Sequence, residues 1–210
     1  TPGRVSSRWK TWMVTCCALA ANPKPSRQVA ENSGSRWTRL GRDVIYQSPW
    51  VNLYADKVKL PQGQIIERFH LLDFEKECVA AVVQSDSGEI LMVEVLRYVS
   101  DSVEWEVPAG MIDKGEEILP AAQREVREES GFETTDVRHL CSFNPENGMS
   151  NRTFHVAHCR ATGEPGDFDG NEIQAVYWKS IEEVRAMIRN QQIRDGFSLT
   201  ALLFFLMDEA

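Results

Sequence analysis

From Trp37 onward, apolar and polar positions alternate in short runs. Val44 to Tyr46, Val51 to Leu60 and Gln64 to Leu72, the last two joined across Pro61-Gln62-Gly63, have the two-residue period and turn chemistry of antiparallel strands. Cys78 to Gln84 and Ile90 to Leu96 are nearly continuous apolar runs linked by Ser85-Asp86-Ser87-Gly88, which predicts a hairpin. The period then lengthens. Glu117 to Ser130 is predicted as a helix closed by Gly131 in a left-handed cap. Val137 to Phe143, Thr153 to Cys159 and Ala175 to Trp178 return to strand patterning, separated by two polar loops of the kind that carry function in compact domains. Ser180 with Glu183 makes a capping box ahead of Ile181, Val184, Met187 and Ile188. In a last helix, Ser198 to Met207, Leu199, Leu202, Leu203 and Leu206 form the expected core stripe. There is no internal repeat. The pattern predicts an α+β fold, an α/β/α sandwich built on a mixed sheet with about three helices.

Charge divides the chain. Residues 1–34 hold five basic residues and one acidic residue, whereas the whole 210-residue chain carries a formal charge of −8. The expected division is a leader over 1–36, outside the fold or targeting, an N-terminal β-subdomain over 37–75 and a main domain over 76–210. The leader has the basic, acid-poor character of a transit peptide and, around Ala18-Leu19-Ala20, a trace of a secretory signal. A cytoplasmic location is expected, or mitochondrial or plastid if the leader directs import. The apolar run Trp12 to Ala21 is too short to span a bilayer. The acidic balance argues against nucleic acid or an anionic membrane as partner. An acidic protein acting on a phosphate-bearing compound needs cations to offset repulsion.

Cys16, Cys17, Cys78, Cys141 and Cys159 have no C-x-x-C spacing and are expected to be reduced. His155 and His158 stand three apart in a predicted strand, so they point to opposite faces and do not share a metal.

Glu125, Glu128 and Glu129 fall within an arc of about 100° on the predicted helix, where like charges are mutually destabilising. Such a face is either solvated, with Arg124 and Arg127 as ion-pair partners, or the cradle of a hard divalent cation. The surrounding spacing favours the cradle. Gly110, five residues, Glu116, seven residues, then Arg124-Glu125-Val126-Arg127-Glu128-Glu129-Ser130-Gly131-Phe132 resembles the signature box of the Nudix hydrolase family at each defining position. The resemblance implies metal-dependent cleavage of a pyrophosphate bond with Mg2+, or Mn2+, as cofactor. It implies Glu125, Glu129 and the backbone carbonyl of Ala109 as metal ligands, and Glu128 as ligand or base. Gly110 would let backbone approach the metal, while Glu116 and Arg124 would brace the loop against the helix.

Outside the box the sequence is most similar to the ADP-ribose and ADP-sugar pyrophosphatase branch. Glu94-Val95-Leu96-Arg97-Tyr98 and Trp105-Glu106-Val107-Pro108-Ala109-Gly110 match its phosphate-binding arginine strand and the glutamate before its turn, and Ile193-Arg194-Asp195 through Leu202 resembles its closing helix. Pro145 lies in the loop after the box, a few residues nearer than usual, and Asn144 to Arg152 lacks the branch's Pro-Gly pair. By this resemblance the substrate is a small nucleoside diphosphate compound and the protein a homodimer. Arg97, Glu106 and Met111 would bind substrate, and Trp50 or Arg68 would cover adenine or ribose, although Trp50 could equally be a buried strand residue. Glu172, six residues before Trp178, would be general base for the attacking water. Hydrolysis of another nucleoside diphosphate compound, such as GDP-mannose or a dinucleoside polyphosphate, and a non-catalytic sensing module are the alternatives.

Overall fold

A computed structural model describes residues 36–208. The expected leader, with Cys16 and Cys17, lies outside those residues. A three-stranded antiparallel sheet comes first: β1 (Thr38–Tyr46), β2 (Asn52–Lys59) and β3 (Ile65–Asp73), in the order β1-β2-β3. β2 is largely buried. β1 is exposed along its whole length, with Val44 and Ile45 57% and 43% open, and among the described residues nothing buries them.

The second sheet has seven strands, β4 (Cys78–Gln84), β5 (Ile90–Arg97), β6 (Ser102–Glu106), β7 (Ala109–Met111), β8 (Glu133–Phe143), β9 (Phe154–Thr162) and β10 (Ile173–Lys179). Its order is β10-β5-β4-β9-β8, parallel between β4 and β9 and antiparallel elsewhere. β4 is buried at every position, because helices cover both faces, and this accounts for its unbroken apolar run. Val79, Ala81 and Val83 face α1 (Ile118–Ser130), while Ala80 and Val82 face α2 (Ile181–Arg189) and α3 (Gly196–Asp208). The sandwich is therefore α/β/α.

One departure from expectation shapes the site. β4 and β5 pair only at Gln84↔Ile90 and then splay; β6 takes the open edge of β5 and β7 the open edge of β4. The turn expected at Pro108 to Gly110 thus runs into a strand held by pairing at Val79↔Gly110 and Ala80↔Ala109. So short a strand has no period of its own to show in sequence. The stripe expected on α3 is also corrected: Ser198, Ala201, Leu202 and Phe205 are buried, and Leu203 is 47% exposed. That helix is apolar almost all round, so spacing alone does not select its buried face.

Candidate active site

α1 starts after Glu117, in extended conformation, and ends at Gly131, whose φ of 75° and N–H bond to the Arg127 carbonyl make the expected left-handed cap. Its inner face carries Ala121, Ala122 and Val126, and the edge of that face carries Glu125, only 8% exposed. Gly110 lies directly opposite. A side chain built on Gly110 would overlap the Glu125 carboxyl group, so glycine here is a matter of space.

Arg124 organises the rim. Its Nε and Nη2 donate to the two oxygens of Glu116 at 2.9 Å each, Nη2 donates to the Met111 carbonyl at 2.9 Å, and Nη1 reaches Glu125 at 2.7 Å and Glu128 at 3.1 Å. Glu116 also accepts from the Asp113 N–H at 3.0 Å. Loop, β7 and helix are tied through one guanidinium, which Glu116 and the other carboxylates hold firmly protonated. Glu129 turns inward and accepts from the Ala109 N–H at 3.2 Å. Burial pushes its carboxyl up to about 8, the negative charges of Glu125 and Glu106 adding to the effect against Ala109 N–H and Arg97. Burial likewise raises Glu125, opposed by Arg124. Two carboxylates that resist ionisation side by side, under a glycine that leaves space, are a donor set suited to a hard divalent cation. Among the described residues no three acidic, histidine or cysteine side chains already converge, because Arg124 holds Glu125 and Glu128 while Glu129 faces the backbone.

On the other side of the splayed strands, Arg97 donates from Nε and Nη2 to the two oxygens of buried Glu106, at 2.7 and 2.6 Å. This bidentate pair aims the remaining Nη1 towards Glu172, 3.9 Å away. The loop before β10 brings Glu172 there: the Gly166 N–H bonds the Gly131 carbonyl, the Asp169 N–H bonds the Glu128 carbonyl, and the Leu96 N–H bonds the Glu172 carbonyl. Of the expected residues the fold thus gathers Arg97, Glu106, Ala109, Gly110, Met111, Glu116, Arg124, Glu125, Glu128, Glu129 and Glu172.

Trp50 and Arg68 stand apart on the three-stranded sheet. Trp50 is 70% exposed before β2, not a buried strand residue, and Arg68 pairs with Asp43 at 3.3 Å. His155 and His158 do face opposite ways, His155 between Ser142 and Glu77, His158 against Phe205. Cys78, Cys141 and Cys159 are free thiols.

A second charged pair escaped the sequence reading: Arg194 binds Glu104, which also accepts from Ser102 Oγ at 2.6 Å. Glu104 and Glu106 are two apart on β6 and share a face, a signal the alternation could have given. The two pairs line one cavity of about 530 Å³ with Ser100 and Asp195.

A family model for the Nudix domain matches residues 75–198. The chain belongs to the Nudix family. Ahead of the Nudix match, a model described as the nucleoside diphosphate sugar hydrolase N-terminal domain matches residues 37–71. The chain is 31% identical to a CMP-5'-(N-acetyl-N-hydroxy-3-aminopropyl)phosphonate hydrolase of Streptomyces rubellomurinus, over 74% of this chain and 75% of that one. It is 25% identical to an ADP-ribose pyrophosphatase of Bacillus subtilis, over 81% and 93%. Its fold is similar to that of a solved ADP compounds hydrolase, with TM-score 0.74, 16% identity and coverage of 84% of this chain and 96% of that one. This Nudix protein is a hydrolase similar to the ADP-ribose pyrophosphatases, and the fold expected from its sequence is the one found.

Proposed function

We propose that this Nudix hydrolase cleaves the pyrophosphate bond of ADP-ribose or a related ADP-sugar, giving AMP and a sugar phosphate, with Mg2+ or Mn2+ as cofactor. The observation that carries the reading is the meeting of Arg97, braced by Glu106, with Glu172 on one side and with the charge of Glu129, next to buried Glu125 on the helix, on the other. Glu125, Glu129, the Ala109 carbonyl and Glu128 would hold the cation. When bound it would offset phosphate charge and lower the pKa of an attacking water. The protein's own part is positional. To hold the cation, Glu125 and Glu128 would have to give up their bonds to Arg124, which would keep its anchors on Glu116 and Met111. Arg97 takes a phosphate oxygen with its free Nη1. Glu172, exposed to solvent, accepts the proton of water; Glu128 is the other candidate base.

The division into a β-subdomain over 37–75 and a hydrolase domain over 76–210 belongs to the same reading, with the subdomain as dimerisation element. The uncovered β1, bearing exposed Leu40, Val44, Ile45 and Tyr46, supports an unmet interface, and Trp50 and Arg68 from a second copy would then cover the nucleoside. The phosphonate hydrolase relative favours a second reading, a cytidine compound in place of an adenosine one. A panel with magnesium decides: release of AMP from ADP-ribose, ADP-glucose, NADH and diadenosine polyphosphates, and of CMP from CDP-linked compounds. Fastest turnover of ADP-ribose or ADP-glucose is expected. Tight binding of ADP-ribose without turnover of any compound would make the protein a sensor.

A further inference from the structure

The cavity of about 530 Å³ beside Arg97 is walled by one arrangement used twice. Arg97 rests Nε and Nη2 on the two oxygens of Glu106, and Arg194, in the loop ahead of α3, rests the same two nitrogens on the two oxygens of Glu104. Each arginine keeps Nη1 outside its pair. The glutamates are only 4% and 8% exposed, so both carboxylates are built into the fold. The proposed function uses the first pair and leaves the second unexplained. Stability does not require it, because an apolar residue at position 104 would fill the space without burying a charge.

The rest of the wall says what would fit. Ser102 Oγ lies 2.8 Å from Ser100 Oγ and 2.6 Å from Glu104, and Asp195 accepts the Ser198 N–H with Oδ2 at 2.7 Å, which leaves Oδ1 without a bond among the described residues. Carboxylates outnumber guanidiniums three to two, so a second anion is not favoured, and no aromatic ring lines the cavity to stack a base. A free donor on Arg194, a free acceptor on Asp195 and serine hydroxyls that do both match ligand hydroxyls, which each donate once and accept twice. Glu104 and Glu106 are two residues apart on β6, about 7 Å, so their arginines are spaced for a group beyond the phosphate and not for the same phosphate.

We infer that this cavity holds the non-nucleotide half of the substrate, that this half is an uncharged polyol such as a sugar, and that Arg194, set by Glu104, is the specificity-determining residue that reads its hydroxyls. The inference rests on the proposed function in one respect, that a substrate phosphate sits at Arg97. Since Arg97 and Glu106 themselves form part of the wall, the cavity adjoins that phosphate position directly. Bonds from Arg194 Nη1 and Asp195 Oδ1 to neighbouring hydroxyls would extend the chain running from Ser100 through Ser102 to Glu104.

Binding tests it without turnover. Ribose 5-phosphate and tetrahydrofurfuryl phosphate share a five-membered ring and one phosphate and differ by three hydroxyls; each is titrated into the full chain in magnesium and followed by calorimetry. Ribose 5-phosphate is expected to bind about 10-fold tighter or more, and glucose 1-phosphate to bind tighter than glucuronic acid 1-phosphate. The Arg194 side chain is 61% exposed, so Arg194→Gln is expected to keep the urea midpoint of the parent while losing most of the preference for ribose 5-phosphate and binding tetrahydrofurfuryl phosphate as before. Arg194→Lys should keep part of the preference. Equal affinities in the parent, no binding of either compound at millimolar concentration, or tighter binding of the glucuronic acid compound would each overturn the inference. So would an equal loss for both ring phosphates in Arg194→Gln, which would make Arg194 only a tie between β6 and the loop before α3. A hydroxyl preference that depends on Arg194, with no hydrolysis of any diphosphate, would leave the subsite standing while the hydrolase reading falls. Release of AMP from ADP-ribose by a protein that does not discriminate the two ring phosphates would do the reverse.

Discussion

At the scale of single residues, the site depends on small groups being small and charged groups being crowded. Gly110 leaves the volume that the Glu125 carboxyl needs. Gly110→Ala is therefore expected to displace Glu125 and lower kcat about 100-fold or more while leaving the fold intact, because a misplacement of about 1 Å can cost that much. Activity beside a circular dichroism spectrum checks it, and full activity would detach Gly110 from the metal site. Glu129→Gln keeps the size and the Ala109 contact but loses the charge. It should lose several orders of magnitude in rate and weaken Mn2+ binding without unfolding; an unchanged rate would remove Glu129 from the ligand set. The glutamates were legible in the sequence because their spacing crowds charge on one helix face. The pairing of Arg194 with Glu104 was not, since the two stand 90 residues apart and only the fold brings them together.

At the scale of elements, α1 is held from both ends. Gly131 combines a positive φ with backbone contact to Gly166, which ties the loop carrying Glu172 to the end of the catalytic helix. Gly131→Ala should destabilise the protein by about 1–3 kcal/mol through strain and also raise KM by loosening that loop. Urea unfolding and steady-state kinetics test both, and an unchanged urea midpoint would refute the strain. Where β9 meets α3, His158 sits against Phe205 with neither ring nitrogen bonded, and burial lowers its pKa to about 4, helped by Arg138 and Arg160 and opposed by Asp208 and Asp136. The folded value lies below the ordinary 6.5, so the unfolded chain takes up the proton first. Stability from His158 is complete above about pH 6.5 and falls as the pH drops towards about 4. His158→Phe should flatten the dependence across that window, measured as urea midpoints at neutral and mildly acidic pH. Equal slopes in variant and parent would rule His158 out.

At the scale of the whole molecule, β1 leaves an edge strand and its apolar side chains uncovered, a surface that soluble chains normally bury in a partner. Val44→Lys is expected to shift a dimer to monomer in sedimentation and to raise KM for the nucleotide substrate, since in the proposed dimer Trp50 and Arg68 serve the site of the second copy. A parent protein that sediments as a monomer would end that reading. No helix among the described residues is long and apolar enough to cross a membrane. By itself the sequence determined the family, through the box from Gly110 to Phe132, and the order of the longer elements, through short-range periodicities: alternating strands, apolar positions a helical turn apart, a glycine where a left-handed cap fits. Tertiary structure decided the rest. The splay of β4 from β5, the seating of β6 and β7 in the gap, the approach of Glu172 to Arg97 across 75 residues of chain and the face that α3 buries all depend on contacts between distant segments. No local period encodes them.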